Sequence, residues 1–229
     1  MSEEMVKNFW NDEASRWSLQ NKNPLVGWYE QHNADPQERS LLFRNLYDDA
    51  PIGELVALEY GCGPGRNLIK FNKLFSRIDG ADVSEEILAK LPENLAHENL
   101  TPGNLYLTNG HSLPDVPSNT YDVVFSIICM QHIGCRSWRL ELYSEFMRIL
   151  KAGGYFTFQM GYGPGHPKSV DYFHEYDHTD DHHRDTRVES VEALQKDLEN
   201  AGFINFDHVI TDPCHDVHPQ WIWVTVEKP

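Results

Sequence analysis

Glycines 61, 63 and 65 separate an apolar run at residues 55–58 from a polar segment that begins at Arg66, and the carboxylate of Glu59 stands just ahead of them. Glycine lacks a Cβ and tolerates positive φ, so such a turn lets backbone approach a ligand closely. Spacing separates the ligands that turns of this kind hold. A phosphate-binding loop needs Gly-x-x-x-x-Gly-Lys-Ser/Thr, because the lysine and the hydroxyl serve phosphate and magnesium. Here Gly65 is followed by Arg66 and Asn67. A dinucleotide fingerprint needs Gly-x-Gly-x-x-Gly, and counted from Gly61 its third glycine is replaced by Arg66. What remains is a strand, an acid and a glycine turn, ahead of a helix whose positive dipole end faces the crevice at the strand's carboxyl end. The ligand of this cradle tolerates or prefers a carboxylate.

The elements that must hold the turn alternate along the chain in a pattern that builds a mostly parallel sheet covered by helices. Strands are predicted at 55–60, 77–82, 104–108, 121–128 and 154–160, and helices at 66–75, 84–91 and 136–150, the last closed by Gly153 and Gly154. After residue 160 a polar, His-rich stretch interrupts the rhythm, which resumes with a helix at 189–200 and strands at 204–211 and 221–227. The segment before residue 50 contains Phe9, Trp10, Trp17, Trp28 and Tyr29 and reads as a helical cap over the sheet's carboxyl edge. The chain is expected to be one domain: cap 1–50, ligand-binding core 51–161, His-rich lid 162–188, and a closing helix and strand pair 189–229.

Charge narrows the partners. The 229 residues carry a formal net charge of -16, so a phosphate backbone is repelled, and no Lys/Arg cluster overrides the field. Nucleic acid is therefore not an expected partner. No run reaches the length of a membrane span, and the N-terminus has neither the basic nor the apolar region of a signal peptide. The chain reads as soluble and cytoplasmic. Cys62, Cys129, Cys135 and Cys214 lack CxxC spacing, which argues against a zinc ribbon or a disulfide framework.

Taken together, these residues resemble the class I S-adenosylmethionine-dependent methyltransferases, in particular their small-molecule, Rossmann-like branch. Residues 59–65 are similar to the family's first motif, with Glu59 ending strand one. Asp82 falls at the end of strand two, where the family's acid accepts hydrogen bonds from both ribose hydroxyls. Residues 109–114 resemble the segment that flanks adenine, with His111 where an aspartate is usual. Residues 121–133 and 146–159 resemble the fourth-strand motif and the helix, turn and fifth strand that follow. The resemblance implies a seven-stranded, mostly parallel sheet whose last strand is antiparallel. It also implies a cofactor site of Glu59, Gly61, Cys62, Gly63, Asp82, Val83, His111 and Ser112 for S-adenosyl-L-methionine. That cofactor carries a sulfonium and an ammonium against one carboxylate, so an acidic cradle suits it where a basic one would not.

The transfer of a methyl group is an in-line displacement in which alignment supplies much of the acceleration. A base is needed where the acceptor must lose a proton. His132, just beyond strand four, is the candidate, with Tyr162 and His166 behind it. The position after strand four lacks the Asp/Asn-Pro-Pro-aromatic sequence that methylation of amide or exocyclic nitrogen uses, which favours a small-molecule acceptor through O or N. Methylation of a protein or peptide side chain and a non-catalytic cofactor-binding module are the alternatives. The insertion allows several roles. If helical, His174, His178 and His182 would stack on one face near Asp171 with metal-ligand geometry. Flanked by Gly161, Gly163 and Gly165, it reads instead as a lid over the acceptor, and His215 and His218 could approach the same place. No resident metal is expected.

Overall fold

The computed structural model describes residues 2–14, 41–46, 52–164, 169–175, 185–212 and 219–229. Helix Glu3–Ala14 (α1) precedes the sheet, which opens with Val56–Tyr60 (β1), helix Arg66–Phe71 (α2), Arg77–Asp82 (β2), helix Glu85–His97 (α3) and Leu105–Leu107 (β3). Tyr121–Ser126 (β4), helix Arg136–Ile149 (α4) and Leu150–Tyr162 (β5) continue the alternation. Ser169–Val170 (β6) and Asp185–Val188 (β7) follow, then helix Val191–Asn200 (α5), Ile204–Thr211 (β8) and Gln220–Glu227 (β9). Strands run parallel in the order β3-β2-β1-β4-β5, with β9 antiparallel to β5 and β8 antiparallel to β9.

The α/β architecture, the mostly parallel sheet and the antiparallel last strand match expectation, but among the described residues the sheet has nine strands rather than seven. The extra two come from the insertion. β5 outlasts β4, and beyond the end of β4 its residues Gly161 and Tyr162 pair with Arg187 and Val188 of β7, which in turn pairs with β6. The free edge of β5 is thereby covered over the carboxyl end of β4. A second difference lies before it. Gly153 and Gly154 do not close α4: the helix ends at Ile149, and β5 is already extended at Leu150. Gly153, at φ +75°, instead sits in the strand and donates its N–H to Lys228 O at 2.8 Å.

Helix boundaries follow their caps. Ser84 and Ser190 accept the backbone N–H of Ile87 and Ala193, each at 3.2 Å, and open α3 and α5. Helix α3 then runs past Pro92 to His97, further than predicted, whereas α2 stops at Phe71. Both faces of the sheet are buried, as parallel strands require. On one, Tyr143 and Phe146 of α4 and Leu194 and Leu198 of α5 cover Phe156 and Phe158. On the other, Phe43 meets Phe71, Phe75 and Phe125 edge to face at 5.2, 5.3 and 5.6 Å.

The sheet also carries a buried polar tie. Asp79 of β2 is fully buried, accepts the Asn104 N–H at 2.8 Å and the Tyr121 hydroxyl at 2.7 Å, and lies 3.1 Å from Arg77 Nε. Tyr121 reaches it across β1, so the carboxylate joins β2 to β4 without their being neighbours. Asp79→Ala would leave the Tyr121 hydroxyl and Asn104 without their acceptor, at about 1–3 kcal/mol for each orphaned group. We expect a loss of unfolding free energy of at least about 2 kcal/mol on that basis, and a smaller loss for Tyr121→Phe, both read by urea unfolding on tryptophan fluorescence.

Candidate active site

The glycine turn bends between β1 and α2 with Gly61, Gly63 and Gly65 all at positive φ, +73°, +50° and +93°. Two of them are needed for different reasons. A Cβ on Gly61 would stand 2.2 Å from Cys129 Sγ, so that turn packs against the chain leaving β4. A Cβ on Gly63 would meet nothing within 4 Å, because Gly63 faces an open cleft. Asp82, at the end of β2, clamps the turn: Oδ2 accepts the Gly63 N–H and Oδ1 the Ser84 N–H, both at 2.9 Å. One carboxylate thus fixes the turn to the start of α3. Burial pushes the Asp82 carboxyl above its ordinary range, and the N–H donors of Ser84, Gly63 and Val83 pull it partly back.

Glu59 is 1% exposed, and its Oε1 accepts from Asn67 Nδ2 at 2.6 Å. An ionised carboxylate only accepts, so Asn67 presents its NH2 to Glu59, and its buried Oδ1 has no hydrogen-bond partner among the described residues. Both residues line the cleft, together with Arg66. The nearby Cys62 and Cys129 thiols are pushed up by burial, and further by the charges of Asp82 and Glu59. They are protonated thiols of the wall, with neither nucleophilic nor ligand character.

The far wall and the roof come from elsewhere in the chain. Ile128, His132 and Ile133 line the cleft where the chain leaves β4, His132 ending a short 3-10 turn, Met130–His132. Its Nδ1 lies 2.7 Å from Asp185 Oδ1 on β7. Val6 and Trp10 of α1 close the cleft from above, and the Trp10 and His132 rings meet edge to face at 5.2 Å. Helix α1 is fastened by Lys7 to Glu85 at 3.0 Å and by Asn11, whose Oδ1 accepts the Ser84 hydroxyl at 2.7 Å. The N-terminal cap is in this respect where the sequence placed it; Trp17, Trp28 and Tyr29 lie outside the described residues.

Of the residues singled out in the sequence, Glu59, Gly61, Cys62, Gly63, Asp82, Val83 and His132 converge on this one cleft. His111 and Ser112 do not line it, although their neighbour Gly110 does. The His111 ring stacks on Trp138 at 4.8 Å, with Glu141 2.6 Å from Nδ1 and Glu3 2.7 Å from Nε2. Ser112 is turned to Asn109, whose Oδ1 accepts its N–H and its hydroxyl. Tyr162 is a strand residue paired with Val188. Residues 171–174 form a turn, not a helix, so His174 does not begin the helical histidine stack. His166, His178, His182, His215 and His218 lie outside the described residues. Asn67 and Asp185 were not singled out, and Trp10 was placed in the cap without a contact to His132. Asn67 follows the acid across the glycine turn and was within reach of a local reading; Trp10 and Asp185 are brought in by long-range packing that no local pattern encodes.

Residues 57–154 match the family model of the methyltransferase domain. Over 104 residues, 42% of this chain, the sequence is 30% identical to a probable methyltransferase, ltbC, of Aspergillus luteorubrus; the match spans only 36% of that protein's length. The fold is similar to phosphoethanolamine N-methyltransferase 2 of Haemonchus contortus, solved with S-adenosyl-L-methionine. There the TM-score is 0.62 at 17% identity, covering 84% of this chain and 52% of that one. It is similar too to a SAM-dependent methyltransferase of Aquifex aeolicus, with a TM-score of 0.57 at 18% identity, covering 89% of this chain and 98% of that one. No helix among the described residues is long and apolar enough to cross a membrane.

The two glycines make separable predictions. Gly61→Ala adds to the cost of a left-handed residue, about 1–2 kcal/mol, an overlap with Cys129 worth roughly another 1–3 kcal/mol. Gly63→Ala incurs only the first. Thermal unfolding should therefore show Gly61→Ala melting well below Gly63→Ala, while the methyl group on Gly63 obstructs the cleft.

Proposed function

We propose, on the premise that residues 57–154 form a class I methyltransferase domain, that the chain transfers the methyl group of S-adenosyl-L-methionine to an O or N of a small-molecule acceptor. The observation that carries this reading is the convergence of two deeply buried carboxylates, Asp82 and Glu59, with a glycine that leaves the cleft open.

The residues fit the cofactor. Asp82 Oδ2 takes the Gly63 N–H and Oδ1 the Ser84 N–H, and a carboxylate has further lone pairs to offer the hydroxyls of a ribose. Asn67 Oδ1 and Glu59 offer acceptors to an ammonium, and Arg66 on the same wall offers positive charge to a carboxylate. When bound, the cofactor supplies an electrophilic methyl group on a positively charged sulfur. The protein's own part is positioning: the glycine turn sets depth, Asp82 sets rotation about the ribose, and Val6 and Trp10 of α1 exclude water. His132 lines the same cleft and takes the acceptor's proton where one must be lost. A protein or peptide side chain as acceptor is less well suited, because Val6 and Trp10 of α1 roof the cleft. The acidic chain, with a net charge of -16, also disfavours nucleic acid as substrate, and we place the reaction in the cytoplasm.

Calorimetry tests the cofactor: S-adenosylmethionine and S-adenosylhomocysteine should bind, and a response to NAD alone would sink the assignment. Labelled cofactor incubated with a metabolite extract should yield a product heavier by one methyl group. Asp82→Ala removes the acceptor of two hydrogen bonds to a charged group, each about 1.5–3 kcal/mol, so S-adenosylhomocysteine binding should weaken by about a hundredfold or more. The pH dependence has a definite sign. Hydroxyl donors favour the ionised carboxylate, so a proton on Asp82 competes with the ligand. Because burial raises this carboxyl, affinity should begin to fall on acidification at a higher pH than for an ordinary aspartate. Asp82→Asn should lose that pH dependence together with much of the affinity.

A further inference from the structure

We propose that Asp185, carried by the insertion, is a positioning residue that fixes the His132 imidazole with Nε2 as its basic atom, and that the acceptor is a hydroxyl compound. This rests on reading the cleft as a methyl-transfer site. The 2.7 Å contact between His132 Nδ1 and Asp185 Oδ1 sets the tautomer. An ionised carboxylate only accepts, so the neutral ring donates from Nδ1 and carries its lone pair on Nε2. The Trp10 ring against the imidazole restricts its rotation.

The carboxylate is held as firmly as the ring. Asp185 opens β7, pairing with Ser169 of β6, and two residues on, Arg187 pairs with Gly161 of β5 and donates to Ser169 O at 2.6 Å. The other arm of the insertion is tied to the start of α4. Arg136 N–H donates to His174 O at 3.0 Å and Ser137 N–H to Glu175 Oε1 at 2.8 Å. The fully buried Arg139 donates both to the carbonyl of Ile133, next to His132, and to the carbonyl of Tyr172 in the insertion. Base and orienting carboxylate come from segments 53 residues apart that share these ties.

A fixed base selects among acceptors. A neutral amine attacks carbon with its own lone pair, and a thioether has no proton to lose. An alcohol or phenol is a weak nucleophile until its proton leaves. In the step, the O–H bond breaks and its proton goes to His132 Nε2 while an oxygen lone pair forms the O–CH3 bond. The electron pair of the broken S–CH3 bond stays on sulfur, which ends as a neutral thioether. Asp185 remains ionised and stabilises the imidazolium.

The test uses the full chain with 15N-labelled histidine. In wild type His132 should be the Nδ1–H tautomer by NMR, in Asp185→Asn it should move to Nε2–H, and Asp185→Glu should restore Nδ1–H. S-adenosylhomocysteine affinity should stay unchanged in both variants, while methyl transfer to the acceptor identified from the extract should fall about 10²–10⁴-fold in Asp185→Asn and recover in part in Asp185→Glu. Fragmentation of the product should place the new methyl group on oxygen. An Nε2–H tautomer in wild type, or one indifferent to Asp185→Asn, overturns the positioning role, and a methyl group on nitrogen or sulfur overturns the hydroxyl acceptor. Those results leave cofactor binding intact, whereas failure of wild type to bind S-adenosylhomocysteine removes the methyl-transfer reading and this proposal with it.

Discussion

The Asp82 carboxylate is the constraint on which the cleft depends. It accepts the N–H of Gly63 from the turn after β1 and the N–H of Ser84 at the cap of α3. The two parallel strands β1 and β2 are already in register, Tyr60 opposite Ala81, and Ala81 O takes the N–H groups of Gly61 and Cys62 at 2.8 and 3.1 Å. Sheet pairing therefore brings the turn to Asp82, which fixes it through the Gly63 N–H. Ser84 extends the same chain of contacts to Asn11 of α1. Floor, side and part of the roof thus refer back to one side chain.

Burying that charge has a cost, visible in the upward push on the Asp82 carboxyl and offset in part by its backbone donors. A second carboxylate, Glu59, is buried beside it and takes the Asn67 amide. A ligand bearing positive charge would interact favourably with both, which accords with the cofactor that we propose. The thiols of Cys62 and Cys129, raised by the same burial and the same charges, complete a wall with no competing reactivity.

How much of this was legible in the sequence follows contact range. The stretch from β1 to β2 carries its own signals: buried runs, a glycine turn with an acid before it, and a second acid ending the next strand. Those residues come together along one cleft, and the order of strands and helices is as expected. His111 and Ser112 did not reach the cleft, because a histidine in that place stacks on Trp138 between Glu3 and Glu141, contacts that only α1 and α4 provide. The two strands of the insertion were missed because β6 has two residues, and β7 pairs with β5 only where β4 has already ended. A His-rich, polar composition gives no hint of such pairing. The glycines at 153 and 154 misled in the opposite sense: a helix-stop signature marks a strand irregularity here, since Lys228 from the end of the chain accepts the Gly153 N–H.

The same division by range bears on how the two halves of the site can change. The cradle proposed for the cofactor lies within 24 consecutive residues, Glu59 to Asp82, on elements whose register the sheet enforces. The acceptor side that we propose draws on three distant pieces: Trp10 of α1, His132 after β4 and, in contact with His132, Asp185 of β7. Substitutions in α1 or the insertion reshape that side without touching the hydrogen bonds of Asp82 to Gly63 and Ser84. Loops at the carboxyl edge of a parallel sheet vary more readily than the strands they join, although Tyr172 and Val188 tie this insertion into the core. The tie through Arg139, which holds both Ile133 and Tyr172, limits that freedom in one respect: the insertion cannot shift without disturbing the wall beside His132.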